Sequence, residues 1–275
     1  MEDTKVKNEA SNRQQSSLSL KHRIGYGLGD AGGVVTLQLI QAYLNRYVTN
    51  VLGISFVTVS TLLLIWNIWD MVNDPMMGNI MDRSFAKSSH GKDKFRPWIL
   101  RSIPLIVIGL IAFFVIPGYL NGFVQLAALF LLKIVYELGY TMMNIAMGSL
   151  LSVMSTNDTE RTQLSSARGL GSVVGGFIMM FGVPRILKGL GENQTGYAVA
   201  GTFCAVMGGI LIFFHYYLTE ERNTEAQLKA EEQEVEWKDV FVTLRRNRLY
   251  LALSLHSIII VFAQLLNSQT AAYIY

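Results

Sequence analysis

Charged residues are missing from three long stretches of this 275-residue chain. Residues 102–132, 193–219 and 249–275 contain no Asp, Glu, Lys or Arg. A helix needs about 20 apolar residues to cross the hydrocarbon core of a bilayer, so each stretch is long enough to span it. A soluble domain seldom contains several helices that are apolar on every face. The sequence therefore predicts an all-α membrane protein in contact with the lipid bilayer.

Cysteine is also nearly absent, since Cys204 is the only one and lies within an apolar run. A single cysteine excludes an internal disulfide framework. The His and Cys residues do not have zinc-ligand spacing, and no Ser, His and Asp set is arranged as a catalytic triad. The net charge of +3 comes from basic residues in loops, which does not indicate a nucleic-acid partner. We expect no enzyme activity and no cofactor.

The apolar pattern predicts seven membrane spans. The first is the weakest by hydropathy because it is rich in Gly and contains Asp30 and Arg46. The chain is predicted to divide into four segments: a tail over 1–23, a six-helix transmembrane bundle over 24–218, a charged, largely helical linker over 219–248, and one further helix over 249–275. The spans are expected at about 25–48, 54–80, 98–119, 122–154, 167–189, 196–218 and 249–275.

Basic residues are distributed unevenly among the loops. The tail and the loop after the second span are rich in Lys and Arg, whereas residues 50–55 and 117–122 contain neither. By the positive-inside rule, the tail and linker are expected in the cytoplasm of a multi-pass protein of the cell (inner or plasma) membrane. Many transporters pair two six-helix halves around a central site. We therefore expect a truncated chain whose missing C-terminal half is needed for a full cavity; a complete seven-helix protein is the alternative.

Ionisable residues within spans are costly and normally mark a functional path. Asp70 and Asp74 are four residues apart on the second span, with Asn73 beside them, so both carboxylates lie on one helix face. Clustered oxygen ligands suit Na⁺ or H⁺. Alternatively, Asp74 only caps the cytoplasmic helix end near Pro75.

Two further charged features each allow two interpretations. Lys133 and Glu137 on the fourth span are either an internal ion pair or substrate contacts. Arg168, which opens the predicted fifth span, either extends to the membrane interface or donates hydrogen bonds to a substrate in the cavity.

The G-x-G-x-x-G pattern at residues 27–32 lies in an apolar helix without a preceding strand, so it predicts close helix contact rather than nucleotide binding. Close helix contact is also predicted at three glycines of the fifth span, Gly171, Gly175 and Gly176.

Several segments resemble successive landmarks of the glycoside–pentoside–hexuronide:cation symporters, the melibiose-carrier-like branch of the major facilitator superfamily. The most specific match is WD-x-x-NDP-x-MG followed by a basic loop and RPW. The resemblance covers residues 21 to 275 and implies a six-helix amino-terminal bundle followed by the first helix of a second bundle. The matching segments are KHRIGYGLGDAGG, IWDMVNDPMMGNIMDRS, GKDKFRPWIL, ELGYTMMNIAMGSL, TERTQLSSARGLGS and NRLYLALSLHSIIIVFAQLLNSQTAAYIY.

The resemblance implies a secondary transporter in which a coupling cation, Na⁺ or H⁺, drives symport of a sugar or glycoside by alternating access. An alternative is a truncated remnant without transport activity, or a half-carrier subunit. The implied cation-binding residues are Asp70, Asn73, Asp74, Thr141 and Asn144. Asn144 stands where the melibiose type has an acid, which lowers the negative charge of the site.

The implied substrate-binding residues are Tyr140 and Arg168, and Lys133 and Glu137 are expected to supply further polar contacts. Besides Asn144, three further positions depart from the melibiose pattern, so the sugar is expected to be held differently; they are Gly33, Val34 and Gly148. Asp82, Arg83 and Arg161 resemble residues that close the cytoplasmic gate in this superfamily.

Overall fold

The structure is a computed structural model that describes residues 18–86, 93–222, 247–249, 251–260 and 263. Most of the predicted tail, of the predicted linker and of the predicted seventh span lies outside these residues. The side chain of Asp82 also lies outside them.

Six long α-helices follow one another in the first part of the chain. A π-helical turn, Tyr47–Val51, follows the first helix, and a 3₁₀ turn, Ile116–Tyr119, follows the third. A separate unit contains the short apolar helix α7, Leu251–Ile260. The long helices are α1 (Leu20–Arg46), α2 (Phe56–Ala86), α3 (Arg96–Val115), α4 (Gly122–Met154), α5 (Asp158–Leu190) and α6 (Gln194–Leu218).

Five of the helices in the described residues are long and apolar enough to cross a membrane, namely α2 to α6. Helix α1 is not among them, in keeping with its glycines and charges, although its 27 residues give it a length of about 40 Å. Helix α4 has 33 residues and is therefore about 50 Å long, more than a perpendicular span requires. The chain is a multi-pass membrane protein.

Helix α5 begins at Asp158, earlier than the predicted start at residue 167. Asn157 caps this start, since its Oδ1 accepts hydrogen bonds from the backbone N–H groups of Thr159 and Glu160 at 2.8 and 3.4 Å. The predicted span leaves out these polar first turns because average hydropathy detects only the apolar part of a helix. As a consequence, Arg168 lies within α5 rather than at its beginning.

Helix α1 packs against both α5 and α6, whereas α3 packs against α4 and α6, and α4 is the main partner of α2. Glycines allow the α1 and α5 backbones to touch. A Cβ atom added to Gly171 would lie 1.9 Å from the backbone oxygen of Gly27, and one added to Gly175 would lie 2.4 Å from that of Ala31. The predicted close contact is confirmed at these positions but is wrong for Gly176, where the nearest atom would be 3.7 Å away.

The Glu221 carboxylate, three residues beyond α6, caps the beginning of α3. It accepts hydrogen bonds from the backbone N–H groups of Lys94, Phe95 and Arg96 at 2.9, 2.6 and 2.9 Å. The Arg96 guanidinium donates in turn to the backbone oxygen of Tyr216, at 2.9 Å. A negative charge at a helix N-terminus is favourable because the first N–H groups of a helix have no partner within it.

Candidate transport site

A chain of hydrogen bonds joins α2 to α4 at the predicted cation site. The Asn73 side-chain amide donates to the Thr141 hydroxyl at 3.0 Å, and this hydroxyl donates to the Asp74 carboxylate at 3.0 Å. Asn73 is fully buried, and its Oδ1 atom has no hydrogen-bond partner among the described residues. The structure therefore brings together three of the five predicted cation-binding residues.

Asp70 is half-buried one turn before Asp74 on α2, and the charges of these two carboxylates interact. The charge of Lys133 on α4 also interacts with that of Asp70. In the described part of the chain, no group of three or more His, Cys, Asp or Glu residues is placed to hold a metal ion. A cation here would therefore need amide and hydroxyl oxygens in addition to the two carboxylates.

Lys133 and Glu137 form an ion pair within α4, as one of the two interpretations predicted. The Lys133 side chain is only 9% exposed, and its ammonium lies 4.8 Å from the centre of the Trp66 ring on α2. The second carboxylate oxygen of Glu137, Oε2, is buried and makes no hydrogen bond to any described residue. A role of the pair in substrate binding stays a prediction.

Arg168 binds a residue that the sequence did not assign to the site. Its Nε donates to the Oδ1 of Asp30 on α1 at 2.9 Å, and its Nη2 donates to the Oδ1 of Asn144 on α4 at 3.3 Å. Ser172, one turn further along α5, donates a hydrogen bond to the other oxygen of Asp30. The signal that could have identified Asp30 was its charge in a span that offers it no partner of its own.

Asn144 therefore lies beside Arg168, and no hydrogen bond in the described structure connects it to Asp70 or Asp74. Its predicted contact with the cation stays a prediction. Tyr140 lies nearby, and a Cβ atom added to Gly33 on α1 would be 3.6 Å from its ring. The Tyr140 ring also stacks on that of Tyr136, with the ring centres 6.1 Å apart.

The predicted gate residues do not meet one another in the part of the structure that is described. Arg161 donates to the backbone oxygens of Ser155 and Ser152 at 2.8 and 3.3 Å, at the end of α4. Arg83 is exposed near the end of α2. Because the Asp82 side chain is outside the described residues, the gate stays a prediction.

Comparison with known proteins identifies the family to which this chain belongs. Residues 25–275 match the family of MFS/sugar transport proteins. The chain belongs to this family, whose members are membrane transporters and not enzymes. The resemblance inferred from the sequence motifs is confirmed.

Three relatives illustrate the similarity. The uncharacterized symporter YnaJ of Bacillus subtilis (strain 168) is 27% identical over 261 residues, which cover 93% of this chain and 54% of YnaJ. The inner membrane symporter YicJ of Escherichia coli (strain K12) is 29% identical over 209 residues, 74% of this chain and 44% of YicJ. A glucuronide carrier protein homolog of the same organism is 24% identical over 233 residues, 84% of this chain and 49% of that protein. The chain thus spans about half the length of the curated relatives it matches.

Proposed function

We propose that this chain forms the amino-terminal part of a carrier that couples the movement of a cation, Na⁺ or H⁺, to that of a sugar or glycoside in the same direction. The names of YnaJ and YicJ as symporters support the coupling. The carrier lies in the cell membrane with its N-terminus in the cytoplasm, and a second half of the carrier completes the cavity. The cation binds between α2 and α4.

The observation that carries this proposal is the buried Oδ1 atom of Asn73, which has no hydrogen-bond partner among the described residues. An unpaired buried polar atom costs about 1–3 kcal/mol, so such an atom favours the binding of a partner that the described residues do not supply. It lies within the hydrogen-bonded group of Asn73, Thr141 and Asp74, where each residue has an oxygen atom that could coordinate a cation. A bound cation would satisfy Asn73 and offset the repulsion between Asp70 and Asp74.

The position of the site between two helices links binding to movement. Asp70, Asn73 and Asp74 are on α2, whereas Thr141 is on α4, so a cation coordinated by both helices favours the arrangement in which they are close. A ligand shifts a conformational equilibrium only by its differential affinity for the two states. The same helix α4 carries Tyr140 and Asn144 towards Arg168, so the cation-bound arrangement also positions the substrate contacts.

The test is gradient-driven uptake into proteoliposomes. They contain the full-length carrier, expressed from its complete reading frame. Uptake of each member of a panel of labelled glycosides, pentosides and uronides is measured under an imposed Na⁺ gradient and under an imposed H⁺ gradient. Asp70→Asn should abolish the gradient's effect on uptake while exchange of substrate across the membrane persists. Asn67→Ala, an exposed position on the same helix, should behave as wild type. If Asp70→Asn leaves gradient-driven uptake unchanged, the site is assigned wrongly.

A further inference from the structure

The contact between Asp30 and Arg168 bears on which substrates the carrier accepts. Asp30 is more deeply buried than Arg168, since its side chain is 14% exposed while that of Arg168 is 37% exposed. Both carboxylate oxygens of Asp30 are engaged, one by Arg168 and the other by Ser172. The guanidinium thus reaches the open side of the bundle with a carboxylate fixed behind it.

We propose that Asp30 neutralises Arg168 and thereby makes the carrier prefer uncharged, hydroxyl-rich substrates to their carboxylated counterparts. This inference rests on the proposed transport function and specifies its substrate class. Asp30 acts through Arg168 and is therefore a positioning residue.

The guanidinium keeps hydrogen-bond donors available after these contacts. Nε and Nη2 donate to Asp30 and Asn144, and these two hydrogen bonds use two of the five N–H groups of the guanidinium. A sugar hydroxyl can accept from such a donor without bringing any charge into the site. A carboxylate gains most from a cation that has no other partner, and here it would approach an arginine already paired with an acid.

The charged residues of the candidate cation site and of the α4 ion pair do not favour an anion either. Lys133 is paired with Glu137, and Asp70 and Asp74 are both acidic. Both basic residues predicted to contact the substrate, Lys133 and Arg168, therefore have an acidic partner in the described structure.

The backbone packing holds Asp30 in place. Gly27 and Ala31 on α1 touch Gly171 and Gly175 on α5, and these contacts lie on both sides of Asp30 along the chain. Because the two backbones are in contact, the backbone of Asp30 cannot move away from α5 without separating the helices, and two hydrogen bonds hold its carboxylate against Arg168 and Ser172. The neutralising charge is therefore a fixed part of the site.

The experiment compares pairs of probes that differ in one carboxylate, 4-nitrophenyl β-D-glucoside and galactoside with the corresponding uronides. Competition binding to the full-length carrier in nanodiscs gives the affinity ratio for each pair without any ion gradient. Wild type should prefer the uncharged member. Asp30→Asn keeps the shape of the side chain but removes its charge, so it should shift the ratio towards the uronide about tenfold, the effect of roughly 1.4 kcal/mol. Ser172→Ala removes one hydrogen bond to Asp30 but keeps the charge, so the ratio should stay close to that of wild type.

Two results would overturn the inference: a preference of wild type for the uronide, or an unchanged ratio in Asp30→Asn. These outcomes are independent of coupling. A shifted ratio in a carrier whose uptake ignores both gradients would refute the cation site and leave this inference standing. Gradient-driven uptake with an unshifted ratio would do the reverse.

Discussion

The Lys133 ammonium on α4 lies 4.8 Å from the centre of the Trp66 ring on α2, which places a buried positive charge at the interface that also carries the candidate cation site. Cation–π contacts of this kind contribute about 0.5–2 kcal/mol. The same ammonium pairs with Glu137, and its charge interacts with that of Asp70. Lys133 is therefore both a structural link between two helices and a competitor for the acidic residues.

Substitutions of Lys133 and Glu137 are expected to shift cation affinity in opposite directions. Lys133→Met removes a positive charge near Asp70 and should strengthen apparent Na⁺ binding about tenfold. Glu137→Gln leaves the lysine charge uncompensated and should weaken it by a similar factor. Isothermal titration calorimetry on the full-length carrier measures both. Shifts of the same sign would show that the pair acts only on the fold.

The Thr141 hydroxyl should be necessary for the α2–α4 connection. Thr141→Val keeps the size of the side chain but removes the group that joins Asn73 to Asp74, so apparent cation affinity should fall about tenfold. Thr141→Ser retains the hydroxyl and serves as the matched control. Equal cation affinities of the two variants would contradict a role for this hydroxyl in the site.

The α2 residues of this site could be predicted from the sequence because they follow helical spacing, whereas Thr141 on α4 was predicted only from the family resemblance. Asp70, Asn73 and Asp74 fall on one face at intervals of three and four, and a one-dimensional pattern reports such a face directly. The ion pair of Lys133 and Glu137 could be predicted for the same reason, since the two residues are four positions apart on one helix. Its position against Trp66 was not, because it depends on how two helices pack.

The Asp30–Arg168 contact could not be predicted from spacing. The two residues are separated by 138 positions, and hydropathy placed Arg168 at the beginning of its helix. The cap formed by Asn157 moves that beginning to Asp158, and the glycine contacts with α1 then bring Asp30 within reach. Both causes are properties of tertiary structure or of local capping that average hydropathy does not contain.

The contact between α1 and α5 should be sensitive to a single methyl group. Gly171→Ala places a Cβ atom 1.9 Å from the Gly27 oxygen, so the helices must separate, and overpacking of this kind typically costs about 1–3 kcal/mol. The melting temperature of the carrier in detergent should fall, and substrate affinity with it. Gly169→Ala on the same helix meets nothing within 4 Å and should not lower stability. Similar losses in both variants would point to helix α5 itself rather than to its contact with α1.

The Glu221 cap predicts a loss of stability that is separate from transport chemistry. Glu221→Ala leaves three backbone N–H groups at the beginning of α3 without their acceptor and should cost about 1–2 kcal/mol. Glu220→Ala removes only an acid that lies 3.4 Å from His22 and from Arg222, so its effect should be smaller. Thermal unfolding monitored by circular dichroism compares them. Cation affinity should be unchanged in either variant, since neither residue lies near Asp70.

Among the described helices, α2 has one main packing partner, α4, whereas α1 is held by two. In mechanical terms, α2 can shift by breaking a single interface, while α1 cannot shift without disturbing both α5 and α6. Asp70 and Asp74 are thus on a helix that packs mainly against one neighbour. Asp30 is on a helix that packs against two, and Arg168 is on one of those two. A cation that bridges α2 to α4 would therefore hold the less constrained helix against α4, the helix that also presents Asn144 to Arg168.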